Sequence, residues 1–324
     1  MSVRARWTVT AVLVLAGVAG CGTASSQPSA GSVTVKDCQG KDITFAAVPA
    51  RAVTIDGWAA QVMARLGLAD RIVGTGFAGP VRAEQEPFRG QLATVPVITD
   101  KIPSTESVAA LAPDVVLTGF PDFGGPPGTP TEADLAAMKA PGVAACVNTK
   151  AGPMTDLSAM YDYLARVGRV FQVADRADQV IRELKAREDT VRAKAGPRTR
   201  VLALADNPVV GQPVKALGGA TPVNALIHLA GGVNVFDEVP SMHADVSPEK
   251  IAALDPQVIW VVTDLSFAKA TGRELVDQIS ANPLLATTSA VRDRRILSTS
   301  QYVVGFPTPL TIDGLEQIAA GLRG

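Results

Sequence analysis

Apolar and polar residues alternate from residue 32 to 45 around a Cys38-Gln39-Gly40-Lys41 turn, which predicts a β-hairpin. Short apolar runs then alternate with segments at helical spacing. Residues 52–55, 71–74, 94–98, 114–118 and 143–147 read as strands. Residues 59–66 ended by Gly67, 104–111 capped by Ser104, and 135–139 read as helices. Strand–helix–strand units imply parallel pairing under a cover of helices. The middle is helical: Leu157, Met160, Tyr161, Leu164, Val167 and Val170 form one stripe behind Asp156. After a break near Gln172, Ala177, Val180, Ile181, Leu184 and Val191 form a second, stopped by Gly196-Pro197. About 20 residues of helix reach about 30 Å, enough to link two lobes. The second half then repeats the first, with strands at 200–205, 258–263 and 295–298 and helices at 223–230, 247–254, 275–280 and 310–322. Residues 104–117 (STESVAALAPDVVL) match residues 247–260 (SPEKIAALDPQVIW): a capped short helix with glutamate third, then proline and an apolar strand. Such a repeat argues for two similar lobes.

The amino terminus has a different pattern. Arg4 and Arg6 precede an apolar run from Val9 to Gly20, the n- and h-regions of a signal peptide. A spanning helix wants about 20 apolar residues, so the run is too short to be one. Val18-Ala19-Gly20-Cys21 resembles a bacterial lipobox, with Cys21 as the lipidated residue. Gly22 to Ser32 is a Ser/Gly/Pro/Ala tether. Loss of residues 1–20 removes two arginines and no acid, which takes the formal net charge from −1 to −3. With no basic patch, nucleic acid has no electrostatic support as a partner. Once Cys21 is lipidated, Cys38 and Cys146 remain as a pair, and an oxidising compartment favours a disulfide between them. The expected organisation is a signal peptide (1–20), tether (21–32), N-terminal lobe (33–155), helical linker (156–195) and C-terminal lobe (196–324).

Six segments, in order, resemble the ABC-transporter solute-binding proteins of the iron-siderophore and cobalamin type. They are Pro49 to Val53 after the hairpin, Leu66 to Gly74, Glu106 to Leu117, Ala230 to Phe236, Val246 to Val262, and Ala290 to Ile296. The resemblance implies an α/β fold of two lobes, each with a central, mostly parallel sheet flanked by helices, joined by one long helix. It implies a ligand held between the lobes, a ferric siderophore, with a corrinoid or haem as the alternatives. It also implies that Glu106 and Glu249 pair with arginines on an ABC permease dimer that works with an ATPase. Two carboxylates at matching places fix orientation as well as attraction. The expected protein is a monomer, lipid-anchored on the outer face of the cytoplasmic membrane, with no cofactor, no metal and no catalytic residues. The other classes are a lipid-anchored accessory or interaction protein without a transport role, and an enzyme.

Ligands of open α/β sheets sit beyond the strand carboxyl ends. In the first half those loops carry Asp56, Gly57 and Trp58, then Phe77 and Arg82, then Phe120, Asp122 and Phe123. In the second they carry Asn207, Ser241, His243, Ser266, Phe267 and Tyr302. Aromatics with Arg82 suit a bulky, partly apolar chelate, whose oxygens Arg82 would meet. Two histidines cannot build a multi-histidine Zn or Mn site. Haem-binding relatives use a tyrosine where Phe77 stands. Gly74-Thr75-Gly76-Phe77-Ala78-Gly79 matches a dinucleotide fingerprint, but Pro80 follows at once where a helix should continue.

Overall fold

The computed structural model describes residues 31–125, 128–147, 152–265 and 268–323. The expected signal peptide, Cys21 and the expected tether up to residue 30 lie outside the described residues, as do Ser266 and Phe267. The chain opens with a hairpin, β1 (Val33–Lys36) and β2 (Asp42–Phe45), paired antiparallel. The first sheet and its cover follow as β3 (Ala52–Thr54), α1 (Gly57–Arg65), β4 (Ile72–Gly76), α2 (Gly79–Ala83), α3 (Phe88–Leu92), β5 (Val97–Thr99), α4 (Thr105–Ala109), β6 (Val115–Thr118), α5 (Glu132–Met138) and β7 (Gly142–Ala144). Its strands are all parallel, in the order β5-β4-β3-β6-β7. The connections from β3 and β6 therefore leave in opposite directions, and a crevice opens between them at the carboxyl ends.

Two helices come next, α6 (Ser158–Val170) and α7 (Ala174–Arg192). Gln172, at φ 56°, makes the break that the hydrophobic stripe predicts. The α6 helix packs on β1 and β7, whereas α7 packs on helices of the second half. Tyr161 on α6 donates to the Glu188 carboxylate on α7 at 2.6 Å and fastens the pair. At 19 residues, α7 spans about 28 Å and carries the chain from one sheet to the other.

The second sheet is built from β8 (Thr199–Leu204), β9 (Val214–Leu217), α8 (Pro222–Leu229), β10 (Gly232–Asn234), β11 (His243–Val246), α9 (Pro248–Leu254), β12 (Val258–Thr263), α10 (Gly272–Ser280), α11 (Ser289–Arg292), β13 (Ile296–Ser300), α12 (Gln301–Val304) and α13 (Thr311–Arg323). Its order is β11-β9-β8-β12-β13, with β10 against β8. The strands β8, β12 and β13 are parallel, while β9 is antiparallel to both β8 and β11. The repeat between halves therefore holds for the strand–helix units and breaks at β9 and β11. One continuous apolar cluster joins β3 and β6, both linker helices, β8, β12 and α13, through residues such as Val115, Leu164, Val180, Val201, Trp260 and Ile312. Separate clusters fill the other face of each sheet. Among the described residues no helix is long and apolar enough to cross a membrane. The Cys38 and Cys146 sulfurs are bonded, as the cysteine count predicts, and tie the hairpin turn to the end of β7.

Candidate functional site

Asp56 leaves β3 and caps α1. Its carboxylate accepts from the Ala59 N–H at 2.9 Å, the Thr118 hydroxyl at 2.7 Å and the Gly119 N–H at 2.9 Å. The group is fully buried, and burial pushes its pKa above the usual carboxylate value while these bonds pull it down. One carboxylate thus clamps the ends of β3 and β6, the two strands that flank the crevice.

Trp58 sits in the first turn of α1 and is buried, not presented on an open cleft wall. Three rings surround it: Phe77 at 5.3 Å, Phe120 at 5.9 Å and Phe306 at 4.5 Å between centroids. Its indole N–H has no acceptor among the described residues. Phe77 holds a left-handed backbone, φ 39°, which costs a side-chain-bearing residue about 1–3 kcal/mol. Its N–H donates to the Lys101 carbonyl and its carbonyl accepts from the Gly57 N–H, which holds that conformation.

The other lobe supplies the rest. Beyond β13, Tyr302 stands 6.2 Å from Phe77, and Phe306 stands 5.0 Å edge-on to Phe120. Phe306 escaped sequence reasoning, although it follows a strand carboxyl end as the other rings do. The five rings bridge the two lobes. Gly79 permits this: a Cβ there would lie 2.5 Å from the Tyr302 ring. The apparent dinucleotide fingerprint is thereby explained. Its last glycine makes room for an aromatic ring, and the helix it opens is only five residues long.

Arg82 does not face the cleft as a spare cation. Its guanidinium donates to Asp100 at 2.8 Å, and both side chains are largely solvated. Burial, then Asp264, raises the Tyr302 pKa, with Arg82 opposing and Asp100 adding to the rise. Phe123 is half-buried and packs over Gly142, where a Cβ would lie 2.3 Å from its ring. Asn207 accepts from the Asn282 side chain at 2.8 Å, an internal loop contact.

Ser241 and His243 stand where β11 enters the sheet. His243 pairs with Leu217 on β9, and the adjoining Ala216 pairs with Leu204 at the carboxyl end of β8. The Ser241 hydroxyl donates to the His243 carbonyl, and burial beside Lys215 lowers the His243 pKa. β11 is the edge strand of the sheet, so β9 and β8 stand between it and β12.

Glu106 and Glu249 occupy equivalent places in the first turns of α4 and α9, behind Ser104 and Ser247. Both are exposed, and hydrogen bonds to the helix start and the capping serine hold both pKa values below the usual range. Each is a solvated carboxylate, ionised at neutral pH. Across the lobe junction, Gln85 donates to Asp313 at 3.0 Å, and Arg187 on α7 holds Asp313 and Glu316 of α13.

Among the described residues no group of three or more His, Cys, Asp or Glu side chains is placed to hold a metal ion. The arrangement can hold a large ligand by ring contact and shape, with little cationic help.

A family model described as periplasmic binding protein matches residues 53–303. A cobalamin-binding protein of Halobacterium salinarum is 26% identical over 289 residues, covering 89% of this chain and 73% of that protein. The crystal structure of an ABC-type Fe3+-hydroxamate transport system from Saccharomonospora viridis superposes with a TM-score of 0.75 at 25% identity, over 90% of this chain and 99% of that one. The periplasmic heme-binding protein RhuT from Roseiflexus gives 0.65 at 24% identity, over 84% and 97%. The vitamin B12 binding protein BtuF of Vibrio cholerae gives 0.62 at 17%, over 85% and 97%, and these last two likenesses, both under 25% identical, bear on the fold alone.

Proposed function

Because the chain belongs to the periplasmic binding protein family, we propose that it captures a ferric siderophore of the hydroxamate kind between its lobes and delivers it to an ABC permease. The observation that carries this reading is the charge of the cleft. Four half-buried rings stand around the buried Trp58, the cation acting on Tyr302, Arg82, is already paired with Asp100, and the acids Asp264 and Asp100 act on the same ring. Such a cleft favours a neutral or cationic chelate, as ferric hydroxamates are, over a highly anionic catecholate. The likeness to the Saccharomonospora structure agrees with it. A corrinoid is the second reading, supported by the rings and by the Halobacterium relative. The protein works by binding and release. Cys21 carries the lipid that keeps it at the outer face of the membrane.

Titration calorimetry of residues 22–324 against a ferric trihydroxamate, a ferric tricatecholate, cyanocobalamin and haemin tests the reading. Saturable binding of the hydroxamate alone is the expected result. Binding of cyanocobalamin alone moves the protein to the corrinoid reading, and preference for the catecholate refutes the charge argument. Docking is tested separately: Glu106→Ala with Glu249→Ala should abolish cellular uptake and leave ligand affinity unchanged. Unimpaired uptake would remove both glutamates from that role.

A further inference from the structure

Beside the ring cluster, under the loop that follows β6, lies a cavity of about 230 Å³. Ile55, Ile102, Phe120, Phe123 and Pro130 supply its apolar walls. The Thr118 hydroxyl also lines it but is already engaged, donating to Asp56 and accepting from the Phe120 N–H. Asp122 is the one ionisable side chain among the described lining residues. The walls are braced before any ligand arrives. Gly124 N–H donates to the Pro130 carbonyl at 2.9 Å, and Ala145 N–H donates to the Phe120 carbonyl at 3.1 Å. Thr105 N–H donates to the Gly128 carbonyl at 3.0 Å, and Phe123 is wedged over Gly142. The cavity also adjoins the cleft, because Phe120 forms part of its wall and packs against Trp58 and Phe306.

We infer that this cavity is a subsite for one uncharged, apolar arm of the cleft ligand, the size of a benzene ring with a short substituent. The inference rests on the reading of the cleft as the ligand site. Apolar cavities of about 150 Å³ stay dry and accept benzene, so about 230 Å³ leaves room for a substituent. An anionic arm is disfavoured, because it would be brought beside Asp122 with no compensating cation among the described lining residues. Pre-formed walls reduce the ordering cost that a floppy pocket would impose. The subsite selects ligands by their side arm, while the rings select by the chelate core.

The probe is 4-bromobenzyl alcohol, titrated into deuterated residues 22–324 and followed by amide NMR shifts. Saturable shifts at Ile102, Phe123, Gly124 and Gly125 are expected, with 4-bromobenzoate giving none. Ile102→Phe, which fills the cavity, should abolish the alcohol's shifts. It should also cost a benzyl-armed ferric hydroxamate at least roughly tenfold in affinity while sparing the unarmed parent. Absence of saturable shifts in the unmutated protein, or shifts confined elsewhere, overturns the inference whatever the variant does. Equal binding of the benzoate overturns the charge selectivity, and equal losses for both chelates overturn the role in ligand choice. If neither chelate binds the unmutated protein while the alcohol still fills the cavity, the cleft reading fails and the apolar pocket survives it.

Discussion

Asp56 shows how much one side chain can organise at a ligand crevice. Its carboxylate satisfies three buried donors, one in the first turn of α1 and two at the end of β6. Asp56→Ala leaves those donors without partners and should cost about 3 kcal/mol or more in urea unfolding. Its pH behaviour has a definite sign. Burial raises the folded pKa above 3.8, so the stabilising contribution is fullest when the group is protonated and is lost as pH rises through the folded value. The stability deficit of Asp56→Asn should therefore narrow as pH rises from the ordinary carboxylate range through the raised folded value. A deficit that widens with pH would show that the hydrogen bonds outweigh burial. Phe306 presents the converse case, a side chain whose removal opens the site. Phe306→Ala should red-shift Trp58 emission and increase its quenching by acrylamide, because it removes the ring nearest the indole. Trp260 is an internal reference, buried with its N–H on Thr299.

At the scale of elements, the disulfide closes a loop across 108 residues and fixes the opening hairpin to the end of β7. Serine at both Cys38 and Cys146 should lower unfolding stability by about 2–5 kcal/mol, read from urea midpoints. The strand–helix units, the helix break at Gln172 and the paired glutamate turns were legible in the sequence, because each has a local cause: alternation, a capping serine, an apolar stripe. The strands β9 and β11 were not. Each has four residues, and their antiparallel pairing is set by contacts across the sheet. That omission left His243 read as a loop residue, whereas it opens β11. The helices α2 and α3 were likewise hidden, since each is only five residues long and adjoins prolines. Trp58, Phe77, Phe120 and Tyr302 could be read as a group because all follow strand carboxyl ends. The pairing of Arg82 with Asp100 could not, because the two meet through tertiary placement across 18 residues.

Across the whole molecule, two of the contacts between the lobes differ in character. One is the ring cluster. The other is the joint in which Gln85 of the first lobe, Arg187 of α7 and the acids Asp313 and Glu316 of α13 converge. Arg187 holds the Glu316 pKa below 4.5, so the stability from that pairing is present above the ordinary glutamate range and lost as pH falls through the lowered value. Arg187→Ala should speed amide hydrogen exchange in α7 and α13 at neutral pH. The difference from the parent should shrink at acid pH, where Glu316 is protonated in both. An unchanged exchange pattern would make the joint incidental.

The apolar cluster that runs unbroken from β3 through both linker helices to α13 leaves no seam along which half the molecule could melt alone. A protein assembled from two separate sheets would ordinarily be expected to show two heat-absorption peaks. Here a differential scanning calorimeter should record one, with calorimetric and van't Hoff enthalpies in agreement. Damage to either half would then be felt by both, and a nick in one lobe would withdraw the whole receptor from service.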